Sequence, residues 1–344
     1  MSFRRMLIPA ILALVLAGGA ALLHGCTFRT SGDDDAGDDS TDDTGDDDAG
    51  DDAGDDAGDD AGDDDTGGPS WTKMSSGTSA VLYGVWCASG SDAFAVGYRG
   101  AILHYDGSSW SKMTGPTTED LTGVWGASGS DVFAVGVGGV ILHYGGSSWT
   151  AMASGTSEQL NGIWGASGSD AFAVGYGGAI LHYDGSSWSP MTGGAAASLG
   201  GVWGASHSAV FAVGLGGVIL RYDGSSWSPM PNSTGSYLYA VWGVSGSDVF
   251  AAGFIENDGT VLHYGGSSWS EVTGATDQNL YGVWGAAGSD VFAVGGGGTI
   301  QHYDGSSWSA MTGGTTAHLF AVRGTSGADV FAVGDGGTIL HYGQ

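Results

Sequence analysis

The feature that most constrains this chain is a segment of about 39 residues that occurs seven times. Each copy has a tryptophan in one slot, except that the last copy has arginine there. These positions are Trp86, Trp125, Trp164, Trp203, Trp242, Trp284 and Arg323. Short apolar runs alternate with glycine and serine turns, and no helical periodicity is present. The repeat therefore predicts an all-β chain, folded as a closed ring of small antiparallel sheets.

The second copy shows how one repeat forms one sheet. Strands are predicted at 121–126, 132–136, 140–144 and 149–152, because apolar, β-branched and aromatic residues are concentrated there. The segments between them are rich in glycine, serine and aspartate, which favour turns. Four strands in this length are typical of one blade of a β-propeller.

The two ends of the repeat region predict how the ring closes. The last copy stops after His341 and Tyr342, where the other copies continue into a strand that begins with tryptophan. The region opens with such a strand, and Trp71 precedes Trp110 by one repeat length. We expect the first strand to complete the last blade, which leaves no free sheet edge. The prediction is a seven-bladed β-propeller over 69–344. An open solenoid would need capping repeats, and the sequence shows none.

The first 26 residues have the pattern of an export signal, with Arg4 and Arg5 before an apolar run. The run ends in Leu-His-Gly-Cys at Cys26, which resembles the lipobox of bacterial lipoproteins. That resemblance implies lipidation of Cys26 and attachment to a membrane by lipid alone. Thr27 then implies the outer membrane or cell surface of a bacterium. A plain secretory signal and an uncleaved membrane helix are the alternatives.

Residues 27–68 are dominated by aspartate and glycine. Of the 37 acidic residues in the chain, 19 are aspartates between Asp33 and Asp65. Such a segment has no large apolar side chain to bury, so we expect a disordered, extended tether. Diffuse cation binding is favoured over a specific calcium site, because the spacing of a calcium loop is absent. The repeat region keeps only five basic residues, which excludes nucleic acid as a partner.

The sequence offers no recognisable catalytic machinery. It lacks a nucleophile elbow, zinc-ligand spacing and a phosphate loop, so we expect no catalytic residue, no metal and no cofactor. An aspartate recurs at the start of each second strand, with Ala209 as the exception, and we expect it to accept hydrogen bonds from turn backbone N–H groups. A histidine recurs on the third strand, but the ring is too wide to gather these imidazoles around one metal. Cys87 is expected to be a small packed residue rather than a reactive thiol.

Binding residues are expected where the copies differ. Variation is concentrated in the hairpin between the second and third strands and in the connection to the next blade, which should share one face of the ring. The residues predicted to bind ligand are Tyr83, Tyr98, Arg99, Tyr239, Phe254, Glu256, Asp258, Tyr281 and Phe320. Aromatic rings beside polar groups suit a protein or polysaccharide ligand. Neutral variation in tolerant loops is the alternative explanation.

The segments "GVILHYGGSSW" and "GAILHYDGSSW" resemble the repeats of bacterial BNR/Asp-box propellers, of YVTN-like repeats and of the photosystem II stability/assembly factor family. The assembly factors imply a non-enzymatic binding or scaffold module at the cell envelope, expected to be monomeric. The BNR propellers imply the alternative, a sialidase-like hydrolase acting on glycans. Asp106 precedes Trp110 by four residues, whereas the Asp-box places aspartate five before tryptophan, so this chain departs from that pattern.

Overall fold

A computed structural model describes residues 68–193, 195–256 and 258–343. The predicted signal, Cys26 and all of the predicted tether except residue 68 lie outside these ranges. Among the residues that the structure describes, no helix has the length and apolar character needed to cross a membrane.

The chain forms seven sheets of four antiparallel strands, one sheet for each blade of the predicted propeller. Blade 1 contains β2 (Leu82–Ser89), β3 (Asp92–Gly97), β4 (Ala101–Tyr105) and β5 (Trp110–Lys112). Blade 2 contains β6 (Leu121–Ser128), β7 (Asp131–Gly136), β8 (Ile141–Tyr144) and β9 (Trp149–Met152). Blade 3 contains β10 (Leu160–Ser167), β11 (Asp170–Gly175), β12 (Ile180–Tyr183) and β13 (Trp188–Pro190). Blade 4 contains β14 (Leu199–Ser206), β15 (Ala209–Gly214), β16 (Ile219–Tyr222) and β17 (Trp227–Pro229).

The remaining blades follow the same order. Blade 5 contains β18 (Tyr237–Ser245), β19 (Asp248–Ile255), β20 (Asp258–Tyr264) and β21 (Trp269–Glu271). Blade 6 contains β22 (Leu280–Ala287), β23 (Asp290–Gly295), β24 (Ile300–Tyr303) and β25 (Trp308–Ala310). Blade 7 contains β26 (Leu319–Ser326), β27 (Asp329–Gly334), β28 (Ile339–Gly343) and the first strand of the chain, β1 (Ser70–Met74).

The predicted closure of the ring is confirmed. Strand β1 pairs with β28 along its whole length, from Ser70 opposite Gly343 to Met74 opposite Ile339. The indole of Trp71 packs on the ring of Tyr342, 5.3 Å between centroids, and edge-on to Phe292 of blade 6 at 6.1 Å. The N-terminal strand therefore joins the last blade both by backbone hydrogen bonds and by aromatic packing.

The core lies between neighbouring blades. The second strand of each blade is buried on both faces, which explains its unbroken apolar sequence. Its phenylalanine is the centre of each interface. Phe133, fully buried, contacts Trp125 of its own blade and both Tyr183 and Trp188 of the next. The tryptophans therefore pack between blades.

At the inner strands, a tryptophan on one blade packs against a glycine on the next blade, and this pairing is repeated around the ring. A Cβ atom added to Gly126 would lie 2.7 Å from the indole of Trp86, so the tryptophan of one blade requires glycine on the next. Blade 7 has Arg323 in place of tryptophan, and Cys87 takes the place of glycine on the adjoining strand. Cys87 is half-buried, its thiol faces the Arg323 carbonyl at 3.8 Å, and burial raises its thiol pKa. This packing agrees with the expected role of Cys87.

The prediction for the recurring aspartates is wrong. Each one accepts a hydrogen bond from a histidine on the third strand of its own blade, as from His104 Nε2 to Asp92 Oδ1 at 2.8 Å. The two side chains lie on one face of the sheet because His104 is opposite Phe94, two residues beyond Asp92. Aspartates at another position of the repeat instead accept hydrogen bonds from backbone N–H groups. Asp106, for example, accepts them from the amides of Ser108 and Ser109. A hydrogen bond from the Ser108 hydroxyl, together with these two backbone bonds, lowers the pKa of Asp106 to about 2.

Candidate functional site

The two variable loops of each blade lie on one face of the ring, as predicted. The N–H of Tyr98, in the hairpin of blade 1, donates to the carbonyl of Val81, in the connection that enters the same blade. The constant turns contact each other elsewhere, since Gly107 packs against Ser91. We call the first face the variable face. It contains the hairpins, which form one-turn 3-10 segments at Tyr98–Gly100, Val137–Gly139, Tyr176–Gly178, Leu215–Gly217, Gly296–Gly298 and Asp335–Gly337.

A β-bulge in each inner strand positions the predicted aromatic residues. The pairing of β2 with β3 shifts between Leu82 and Gly84, which leaves Tyr83 as the extra residue. Tyr239, Tyr281 and Phe320 occupy the same bulge in blades 5, 6 and 7. A bulge changes the direction of the side chain that it carries, and bulges are common beside binding sites. The fold therefore presents this variable position at the mouth of the central channel.

These aromatic side chains form one continuous row across four blades, which we call the aromatic arc. It consists of Phe254, Tyr239, Tyr281, Phe320 and Tyr83. Successive ring centroids are 5.5, 6.0, 5.6 and 5.7 Å apart. The sequence predicted residues on contiguous blades, and the structure brings their rings into mutual contact.

The arc is less exposed than the sequence predicted. Phe254 and Tyr281 are both buried, with 8% of their surface exposed, because neighbouring rings cover them. Tyr83, Tyr239 and Phe320 are half-buried. Burial raises the pKa of Tyr239 to about 12 and also raises the pKa of Tyr83 and Tyr281. The two buried rings support the surface rather than provide it.

The blade 5 insertion lengthens a hairpin. Strands β19 and β20 pair as far as Ile255 and Asp258, beyond the point at which the other blades turn. This extension places Phe254 against Tyr239 and leaves Ile255, Glu256 and Asp258 exposed. Tyr237, on the opposite strand, packs on Phe254 at 5.4 Å and is 39% exposed.

Tyr98 and Arg99 lie at the other end of the arc. Tyr98 is 41% exposed, and the Arg99 guanidinium lies over its ring at 5.2 Å from the centroid. Arg99 has a φ of 54°, a conformation that glycine adopts more easily. Its backbone N–H donates to Asp120 Oδ1 at 2.7 Å, which fixes this hairpin to the following connection.

Carboxylates surround the arc. Asp335 lies in the blade 7 hairpin, where its N–H donates to the His318 carbonyl. Burial raises the pKa of Asp335, and the charges of Asp120 and Asp335 both contribute to the raised pKa of Tyr83. Glu256 and Asp258 are at the opposite end. The surface is therefore aromatic with an acidic margin.

The other half of the mouth has a structural role. At the bulge position, Thr122 and Asn161 donate side-chain hydrogen bonds to the carbonyls of Leu160 and Leu199 on the next blade. Below the mouth, the channel has a volume of about 160 Å³ and is lined by glycines, by inner-strand tryptophans and by Arg323. Burial lowers the pKa of Arg323, which is half-buried in the channel wall.

Sequence reasoning missed three residues of this surface. Tyr237 and Ile255 are exposed apolar side chains beside the arc, but their register is visible only once the hairpin is built. His318 contacts Tyr281 at 6.4 Å between centroids and accepts a hydrogen bond from the N–H of Gly297. The available signal was the variability of this position, which is a histidine only in this copy and is Val81, Asp120, Gln159, Ser198, Tyr237 and Asn279 in the others.

No protein-family model and no curated protein matches the chain. Solved structures match it over 80% of its length. YCF48 bound to a D1 peptide superposes with a TM-score of 0.65 at 17% identity, over 95% of that chain. Virginiamycin B lyase from Staphylococcus aureus gives 0.71 at 10%, over 100% of that chain. The WD40 propeller domain of Doa1 gives 0.68 at 12%, over 97% of that chain.

At these identities the comparisons establish the fold, and the class of protein is a seven-bladed β-propeller. The neighbours comprise peptide-bound, WD40 and lyase propellers, so fold alone does not select an activity.

Proposed function

We propose that this propeller is a non-enzymatic binding module that takes an extended protein segment on the aromatic arc. The observation that carries the proposal is the unbroken row of five rings on four contiguous blades. Side chains on one face of an extended peptide recur every second residue, about 6.6 Å apart. The half-buried rings of Phe320 and Tyr83 are 5.7 Å apart, close to this spacing, so alternate side chains of one peptide would meet them. The row continues to the half-buried ring of Tyr239 across the buried ring of Tyr281, which supports it.

The charges around the arc define the ligand further. Asp120, Asp335, Glu256 and Asp258 give the surface an acidic margin, and Arg99 and His318 are the basic groups beside them. A segment that alternates apolar side chains with lysine or arginine would pack on the rings and pair with the margin. YCF48, a structural neighbour, has been solved with a peptide of another protein, which supports a protein ligand over a polysaccharide.

The proposal includes the place where the module acts. The lipobox-like sequence at Cys26 and the aspartate-rich tether support display of a monomeric propeller from a bacterial membrane, at the outer membrane or cell surface. Fractionation of cells that express Cys26→Ser tests the anchor. The variant should leave the membrane fraction, and its retention there would contradict lipid attachment.

The binding surface is tested with the exposed tyrosines at the two ends of the arc. The double variant Tyr98→Ala, Tyr237→Ala should bind peptides selected on the full chain from a random display library at least about tenfold more weakly, because aromatic anchors typically contribute about 2 kcal/mol each. Its Tm should change little, since both side chains are exposed. Peptide affinity is measured by fluorescence anisotropy.

Tyr176 provides the matched control. It occupies the hairpin position of Tyr98 in blade 3, is 42% exposed and lies outside the arc. Tyr176→Ala should bind the selected peptides as the unchanged chain does. Equal affinity of the double variant would remove the arc as the site. If a parallel glycan array gave ligands and the peptide library gave none, the ligand would be a glycan and not a protein segment.

A further inference from the structure

We propose a second site, on blades 3 and 4, that binds one divalent transition-metal ion of the zinc class through Asp170, His182 and His207. One ligand atom from each of these residues lies within 4.8 Å of the other two. This grouping is found at one place among the residues that the structure describes. It belongs to the constant turns and does not involve the aromatic arc.

Two of the ligands form an Asp–His pair that every blade except blade 4 has. His182 on β12 donates from Nε2 to Oδ1 of Asp170, the first residue of β11, at 2.7 Å. The imidazole of His182 packs on the buried ring of Phe172, the residue opposite it in the sheet, with centroids 4.7 Å apart and planes tilted by 39°. The fold therefore positions one imidazole and one carboxylate before the third ligand is added.

The third ligand comes from the next blade. His207 lies in the turn between β14 and β15, where all six other copies have glycine. A Cβ atom added to the equivalent Gly288 would lie 2.6 Å from Asp248 Oδ2 on the preceding blade. This position therefore directs any side chain towards the preceding aspartate. His207 Nδ1 lies 3.1 and 3.0 Å from the two carboxylate oxygens of Asp170.

Blade 4 itself lacks the Asp–His pair of the other blades. Ala209 replaces the aspartate and Arg221 replaces the histidine, so the blade that contributes His207 carries no competing Asp–His pair. The Arg221 guanidinium instead lies over Phe211 at 5.6 Å. Three departures from the repeat thus occur in one blade, and one of them, His207, gives Asp170 of blade 3 a second imidazole.

The donor set and its access suit a metal. Two imidazole nitrogens and a carboxylate oxygen are ligands of zinc and similar ions at about 2.0 to 2.2 Å, which places ligand atoms of a tetrahedral site about 3.3 Å apart. The present separations within the two hydrogen-bonded pairs are 2.7 to 3.1 Å. The two imidazole nitrogens lie within 4.8 Å of each other, so they must approach by at most about 1.5 Å. The bound nitrogens must be free of protons, which a change of tautomer achieves by moving each proton to the other ring nitrogen.

The surroundings leave room for a fourth ligand. The side chain of His207 is 44% exposed, and those of Asp170 and His182 are 23% and 22% exposed. An ion can therefore enter from solvent. The rings of Phe172 and Tyr222 lie 5.8 and 5.6 Å from His207 and hold its imidazole in place.

The test compares zinc binding by the full chain and by His207→Gly, which restores the residue of the other six copies and should fold normally. Isothermal titration with zinc chloride should show one tight site in the unchanged chain, above the weak binding of the aspartate-rich segment. In His207→Gly the affinity of that site should fall at least about 100-fold, because a direct ligand is lost. Weak binding is common to both proteins and cancels in the comparison.

The control variant moves the histidine by one blade. His207→Gly, Gly246→His has the same composition, but its histidine faces Ala209 and Arg221 in place of the aspartate and histidine. It should not recover the tight site, and cobalt(II) added to it should lack the visible absorption of a four-coordinate site that the unchanged chain gives. A tight site that survives in His207→Gly, or that returns in the moved-histidine variant, would overturn the assignment.

Discussion

Replacing Trp71 with alanine is expected to lower the free energy of unfolding by about 2 to 4 kcal/mol, somewhat less than the cost of deleting a fully buried aromatic side chain, because Trp71 is half-buried. Trp71 is on β1, which is joined to blade 7 by noncovalent contacts alone. Its indole fills the gap between Tyr342 and Phe292, so its loss leaves a cavity at the point where the ring closes. Urea unfolding followed by fluorescence measures the effect.

Trp227→Ala is the matched control for this prediction. Trp227 occupies the same slot in blade 4, where a turn joins its strand directly to β16, and it contacts Tyr222 and Phe172 as Trp71 contacts Tyr342 and Phe292. The two variants should lose similar free energy if β1 is a full member of its sheet. A loss below about 1 kcal/mol for Trp71→Ala alone would mean that the ring is held closed by other contacts.

The repeat predicted the fold well because each copy carries the same local signals. The predicted strand 121–126 is observed as Leu121–Ser128, and the pairing of β1 with β28 follows from the missing strand of the last copy. Turn-forming residues and apolar runs determine local structure over short stretches of sequence. One copy was therefore sufficient to predict the strands and turns of a blade. The contiguity of the aromatic arc followed from the closure of the ring.

The errors all concern contacts between strands or between blades. The histidine partner of Asp92 is 12 residues away in sequence and depends on the register of β3 and β4. The burial of Tyr281 depends on rings from two other blades. His207 meets Asp170 across a blade boundary, and only the position of the turn reveals it. Differences between the copies indicated the variable residues in the sequence. The residues that they contact could be identified only from the three-dimensional structure.

Replacing Arg323 with tryptophan is expected to destabilise the protein by about 1 to 3 kcal/mol, because it adds volume to a packed junction. The indole would occupy the space now taken by Cys87, since the other junctions place glycine there and an added Cβ at Gly126 lies 2.7 Å from Trp86. Cys87→Gly alone should cost about 1 kcal/mol, because it removes a half-buried side chain.

The double variant Arg323→Trp, Cys87→Gly restores the pair found at the other six junctions, so the two changes should couple by about 2 to 4 kcal/mol in its favour, which offsets both single losses. It should be at least as stable as the unchanged protein, because it also removes a guanidinium whose pKa burial lowers and which forms no ion pair among the described residues. If the effects of the two changes on the free energy of unfolding are additive in urea unfolding, the two side chains do not compete for the same space. Coupling with greater stability than the unchanged protein would mean that Arg323 lies in the channel at the expense of stability, which is typical of residues retained for binding.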